Sequence, residues 1–103
     1  MLNQVIIVGR LVEKPIVKEN ENGKKVCNIT LAVPRSYKNA EGEYETDFIK
    51  CTLCNGIAEN TVEYCDKGYL VGVKGRLQCL SGNELQVVAE KVSFLSTNKI
   101  KEE

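Results

Sequence analysis

Apolar and polar positions alternate with a period of two along much of this 103-residue chain, the spacing that a β-strand imposes. The stretch around which the rest is organised runs from Thr46 to Asn55, TDFIKCTLCN. It sends Ile49, Cys51 and Leu53 to one face, an ordinary core face, and Phe48, Lys50, Thr52 and Cys54 to the other. The second face sets an aromatic ring beside a cation. Such a pair suits a flat, negatively charged polymer of the single-stranded nucleic-acid type.

Upstream, Gln4 to Val12 is a strand with apolar groups on both sides: Val5, Ile7 and Leu11 on one, Ile6, Val8 and Val12 on the other. A strand dry on both sides needs a second cover, because small antiparallel domains usually leave one face wet. It is therefore either central to the fold or covered by a partner subunit. Gly9 in its middle predicts a bend or a close backbone approach. Glu13 to Lys25 is charged, holds Pro15 and the turn pair Asn22-Gly23, and reads as a hairpin or a longer loop.

Val26 to Arg35 is the second strand, with Ile29, Leu31 and Val33 on one face and Val26, Asn28, Thr30 and Ala32 on the other. Pro34 donates no ladder hydrogen bond and marks an edge or a bulge. Beyond it Arg35, Tyr37 and Lys38 form a cation–aromatic–cation cluster, either solvated strand-end residues or an extension of the surface around Phe48. Asn39 to Glu45, with Gly42 at its centre and Tyr44 within it, is expected to be a hairpin tip.

Gly56 to Asp66 places Ile57, Ala58, Val62 and Cys65 at helical intervals, and Lys67-Gly68 supplies a stop. So short a helix is marginal alone, and its apolar stripe must cap a sheet or barrel. In Tyr69 to Gln78, Tyr69, Val71, Val73 and Leu77 face in while Leu70, Gly72, Lys74 and Arg76 face out. Lys74 and Arg76 are either a solvated face or phosphate contacts. Gly72 and Gly75 permit the strong bend of a closed barrel. Ser81-Gly82-Asn83 makes a turn, Leu85 to Leu95 is the last strand, and residues 96–103 form a short charged tail after a domain spanning 1–95.

The order is strand, strand, strand, helix, strand, strand. An all-β, five-stranded barrel with one short α-helix between strands three and four is the plan of the OB fold. That plan does not fix a function, since such barrels bind oligonucleotides, oligosaccharides and proteins.

Composition narrows the partners. With 43% hydrophobic and 27% charged residues the chain is globular, and fourteen Lys/Arg balance fourteen Asp/Glu. Any affinity for a polyanion must then come from where charge is placed, not from its total. No apolar run approaches the length of a membrane span and the N-terminus is charged too early for a signal peptide, so the expectation is a cytoplasmic protein without a membrane partner.

Five cysteines and no histidine complete the inventory. Cys51 and Cys54 form a C-x-x-C, but redox pairs of this type set the attacking sulfur at a helix N-terminus, whereas these two fall inside a strand and on opposite faces. A zinc site would need two further ligands at knuckle spacing. Reduced, structural cysteines are expected, in keeping with a reducing cytosol. No nucleophile with a base at usable spacing and no phosphate-cradling glycine loop is offered, so neither an enzyme, a cofactor, a metal nor a small-molecule substrate is expected.

The segments MLNQVIIVGRLVEKP, VCNITLAVPRSY, TDFIKCTLCNGIAENTVEYCDKG, YLVGVKGRLQ and VVAEKVSFL resemble the bacterial single-stranded DNA-binding protein family, in order and at its spacings. The resemblance covers most of the chain and is most specific from Asp47 to Leu77. It implies an OB fold, homotetramers built from paired dimers, and sequence-nonspecific binding of single strands in replication, recombination and repair. Phe48 and Tyr37 match stacking aromatics of the family, whereas Cys54 falls where an aromatic is common, so that platform is absent. The hairpin over Gln78–Glu84 is short and lacks the family's fourth ring. Arg10, Arg35, Lys38, Lys50, Lys74 and Arg76 are the expected phosphate contacts.

The resemblance further implies that the outward side of the first strand, at Gln4, Ile6 and Val8, pairs with a second subunit. The family tends to end in a linker and an acidic tip, whereas this chain stops at Lys101-Glu102-Glu103, which suggests a tailless accessory or mobile-element version. Two alternatives stay open. One is a protein-interaction subunit of a primosome or mobile-element replication machine with weak DNA binding. The other is RNA as ligand, because nothing visible rejects a 2′-hydroxyl.

Overall fold

A computed structural model describes residues 2–79 and 81–96, with only the backbone of Ser81. Its strands are β1 (Val5–Leu11), β2 (Val17–Glu19), β3 (Lys25–Lys38), β4 (Tyr44–Cys54), β5 (Leu70–Cys79) and β6 (Leu85–Ser96), with α1 (Asn55–Tyr64) between β4 and β5. Hydrogen bonding runs β1-β5-β6-β4-β3-β2, and an additional β1–β3 pairing closes the sheet. The β4–β6 seam is parallel, the others antiparallel. This is the five-stranded OB barrel with its short helix, to which β2 adds a flap on β3. The charged segment 13–25 is thus corrected: it contains a strand, and Asn20–Gly23 turn it into β3, Gly23 taking φ 75°. The expected tail after Ser96 lies outside the described residues.

Alternation in the sequence becomes the inner layer of the barrel. Leu11, Cys27, Ile29, Leu31, Cys51, Leu53, Val71, Val73, Val87 and Ala89 are buried, and Ala58 of α1 is buried with them. Cys51 is in the core and Cys54 half-buried on the outside, so the C-x-x-C points two ways. Burial pushes the Cys51 thiol up to about 11 and those of Cys27 and Cys65 upward as well, which keeps them protonated and unreactive.

Three local devices bend the sheet. At Gly9 a β-carbon would stand 2.8 Å from the carbonyl oxygen of Ala32, where β1 passes from β5 to β3. At Gly75, beside a register shift in the β5–β6 pair, a β-carbon would overlap the carbonyl of Val88. Between Pro34 and Lys38 the β3–β4 register slips, placing the bulge where Pro34 withholds its donor. Asn55 then turns β4 into α1 with φ 54°, a conformation that asparagine tolerates better than most residues.

The helix starts and ends within two residues of its expected bounds and packs over β3, β4, β6 and β2. Thr61, which the apolar spacing passed over, is its second fully buried residue beside Ala58. No helix among the described residues is long and apolar enough to cross a membrane.

Candidate nucleic-acid interface

The outer face of β4 carries Tyr44, Thr46, Phe48, Lys50, Thr52 and Cys54, all of one parity. Phe48 is 66% exposed although it sits on a central strand of the barrel, an arrangement that costs hydrophobic stabilisation unless something else covers the ring. Lys50 is two residues on and exposed, with its Nζ 3.4 Å from Glu84 Oε1. The Thr52 hydroxyl donates to Gln86 Oε1 at 2.8 Å and lies 3.2 Å from Asn28 Oδ1, which ties this face to β6 and β3.

Cross-strand register shows what stands beside the ring. Phe48 pairs with Ala32, and Ala32 with Arg10, so ring and guanidinium belong to one row across β4, β3 and β1. Arg10 Nη1 donates to the carbonyl of Gly68 at 3.0 Å. The low side chain of Ala32 leaves a groove there of about 410 Å³, lined by Val8, Arg10, Ala32, Pro34, Thr46 and Leu70. A second groove, of about 370 Å³, lies on the other side of Phe48, against Lys50, Leu77, Glu84, Leu85 and Gln86. Arg76 reaches the same outer surface through the row Thr52, Val88, Arg76, with Nη1 3.3 Å from Glu90 Oε2.

Several expectations are revised by this geometry. Leu77 keeps the inward parity of Val71 and Val73 but is 41% exposed, because β5 overhangs the barrel there and its inner side becomes a groove wall. Tyr44 is not in the hairpin tip; it is the first residue of β4, paired with Lys38. Lys74, two residues before Arg76 and of the same parity in β5, pairs with Ile6 and with Lys91, which sets it on the β1–β5–β6 surface.

Arg35 is the largest revision. Its Nε and Nη2 donate to the two oxygens of Asp47 at 3.1 and 2.9 Å, and Nη1 donates to Glu45 Oε2 at 2.6 Å. That fork holds the Asp47 carboxyl below the usual carboxylate range and the guanidinium still more firmly charged than usual. The two carboxylates offset the charge of this cation, and the cluster braces the β3–β4 hairpin. Tyr37 is 64% exposed, within the bulge where the register slips, so strand alternation does not carry its side across to Phe48. Lys38 lies with its Nζ 5.7 Å from the centroid of the Tyr44 ring.

Along the outer side of β1, Ile6 is 69% and Val8 48% exposed, Gln4 is exposed just before the strand, and Leu95 is exposed on β6. Gly72 between them leaves room for Leu95 and Val8 to approach over the backbone. The two-sided apolar run of β1 therefore has one side in the core and one open.

A closed OB barrel with an exposed ring and cations aligned over its outer strands defines an oligonucleotide-binding type of protein. The single-strand binding protein family model matches residues 2–95, and the chain belongs to that family. It is 48% identical to single-stranded DNA-binding protein B of Bacillus subtilis over 92% of this chain and 91% of that protein. It is 43% identical to single-stranded DNA-binding protein 1 of Clostridium acetobutylicum over 95% of this chain and 97% of that protein. With the single-stranded DNA-binding protein of Halalkalibacterium halodurans it shares 46% identity over 92% of this chain and 61% of the longer relative.

Proposed function

We propose that this protein binds single-stranded DNA without sequence preference and without chemistry, protecting it during replication, recombination and repair. The observation that carries the proposal is Phe48, exposed on a structured strand beside Lys50, in a chain of the single-strand binding family. Bases stack on Phe48 and Tyr37, and every base offers a π-face, so selectivity among them is weak. Phosphates run past Lys50, Lys38, Arg10 and Arg76, the exposed pairs of Lys50 with Glu84 and Arg76 with Glu90 being weak enough to exchange for phosphate. Lys74 contributes only at the margin, and Cys54 supplies no ring.

The assembly proposed is a homotetramer of paired dimers, with Gln4, Ile6 and Val8 in the pairing surface. Cytoplasmic location at the nucleoid follows from the proposed ligand. Oligo-dT of about 35 nucleotides, chosen against site sizes of about 4–16 nucleotides per OB fold, tests both parts when light scattering is recorded with and without it. Tight binding to oligo-dT, weak binding to duplex and a log–log salt slope of roughly −0.7 per neutralised phosphate are expected. Equal affinity for duplex, or affinity independent of salt, refutes the proposal. Glu84 lying on Lys50 favours one second reading, a protein-interaction OB subunit, which the same titration separates by failing to bind.

A further inference from the structure

The β4 strand sorts its side chains by charge as well as by polarity. Glu45 and Asp47 share the parity of the core residues Ile49, Cys51 and Leu53, and both are held by Arg35. The opposite parity, Tyr44, Thr46, Phe48, Lys50, Thr52 and Cys54, contains no carboxylate over the whole strand. Tyr44 begins that row and is 60% exposed. The two extra residues of the bulge lie in β3, between Pro34 and Lys38, whereas β4 advances by only two residues over the same interval. Parity along β4 is therefore unbroken, and Tyr44 stands on the side of Phe48, about 13 Å away at the rise of a strand.

We propose that Tyr44 is a further base-stacking platform of the nucleic-acid interface, continuing the row of Phe48 toward the β3–β4 hairpin; this rests on the single-strand binding proposed above. An exposed ring on a floppy tip would lose entropy on stacking, but this tip is built. Asn39 Oδ1 accepts from the backbone N–H groups of Glu41 and Glu43 at 2.9 and 3.0 Å, and its Nδ2 donates to Glu45 Oε1 at 3.1 Å. Its backbone N–H donates to the carbonyl of Glu43 at 2.8 Å. Arg35 then clamps Glu45 and Asp47 on the far side. Lys38 Nζ lies over the Tyr44 ring, 5.7 Å from its centroid, so a base that stacks on that face displaces one ammonium, which is then placed for the adjoining phosphate.

The test uses the full chain, oligo-dT, and the variants Tyr44→Ala, Tyr44→Phe and Tyr44→Trp, all at an exposed position. Tyr44→Ala is expected to weaken oligo-dT binding about five- to hundred-fold, the range of one lost stack, and Tyr44→Phe to retain it within about twofold. The sequence holds no tryptophan, so emission from Tyr44→Trp reports this position alone and should be quenched along the binding isotherm. If the unsubstituted protein binds oligo-dT, Phe48→Ala weakens it, and Tyr44→Ala leaves affinity and Tyr44→Trp leaves emission unchanged, the role of Tyr44 is overturned while the function stands. If the unsubstituted protein does not bind oligo-dT, both fall together.

Discussion

The ammonium of Lys50 lies 3.4 Å from the carboxylate of Glu84, with both side chains more than half exposed. Each comes from a different side of the groove beside Phe48, so the pair holds its cation at the groove mouth while cancelling its field. An exposed ion pair of this kind contributes little to stability. Glu84→Gln should therefore leave the thermal midpoint nearly unchanged and tighten oligo-dT binding several-fold at low salt. Anisotropy titrations over a salt series should show the gain shrinking as ionic strength rises.

Phe48→Ala removes a ring that is 66% exposed and so should cost little folding stability while weakening oligo-dT binding by about 1–3 kcal/mol, the value of a base stack. Parallel thermal melts and titrations check this. A large fall in melting temperature with unchanged affinity would mean that the ring packs inward.

Ile6→Glu places a charge in the open side of β1, among Val8 and the exposed Leu95. The barrel should stay folded, since Ile6 is 69% exposed, but burying a carboxylate at a subunit contact carries a desolvation cost that its cross-strand neighbour Lys74 only partly offsets. Light scattering should report a smaller species than the parent. An unchanged mass would remove this side of β1 from the proposed pairing surface.

Asp47 carries a pH signature. Its carboxyl is held below the usual range by the Arg35 fork, so its contribution is present above the unfolded carboxylate value of about 3.9 and is lost as pH falls through the lower folded value. Asp47→Asn should melt below the parent at neutral pH, and the gap should narrow on acidification below about pH 4. Thermal melts at a series of pH values measure it.

Gly75 has no room for a methyl group, because a β-carbon would overlap the Val88 carbonyl of the neighbouring strand. Gly75→Ala must move backbone at the β5–β6 bulge and should destabilise the barrel by about 1–3 kcal/mol, readable as a lower midpoint in chemical denaturation. Gly56→Ala, which meets nothing within 4 Å, is the matched control and should be neutral or stabilising.

Much of the fold was legible before any coordinates, for local reasons. Period-two burial is a property of each strand by itself, so the inward set Ile29, Leu31, Cys51, Leu53, Val71 and Val73 and the outward ring of Phe48 follow from spacing alone. Pro34 and Gly9 announced their bulge and close approach through chemistry that no neighbour can alter. β2 did not announce itself, because three residues in a charged run become a strand only by borrowing donors and acceptors from β3.

What the tertiary structure alone decided is the company each side chain keeps. The sequence offers Arg35 as a cation, and only the fold sets Asp47 and Glu45 around it. Leu77 has core parity but is exposed because β5 runs past the barrel, and the register alone sets Lys74 beside Ile6. Tyr44 falls in the tip by composition because a connection two residues shorter than Asn39–Glu45 cannot be read from residue types. Alternation states which side of its own strand a residue occupies. Which charges lie across the neighbouring strands depends on pairing between segments far apart in the chain, and no local pattern encodes that.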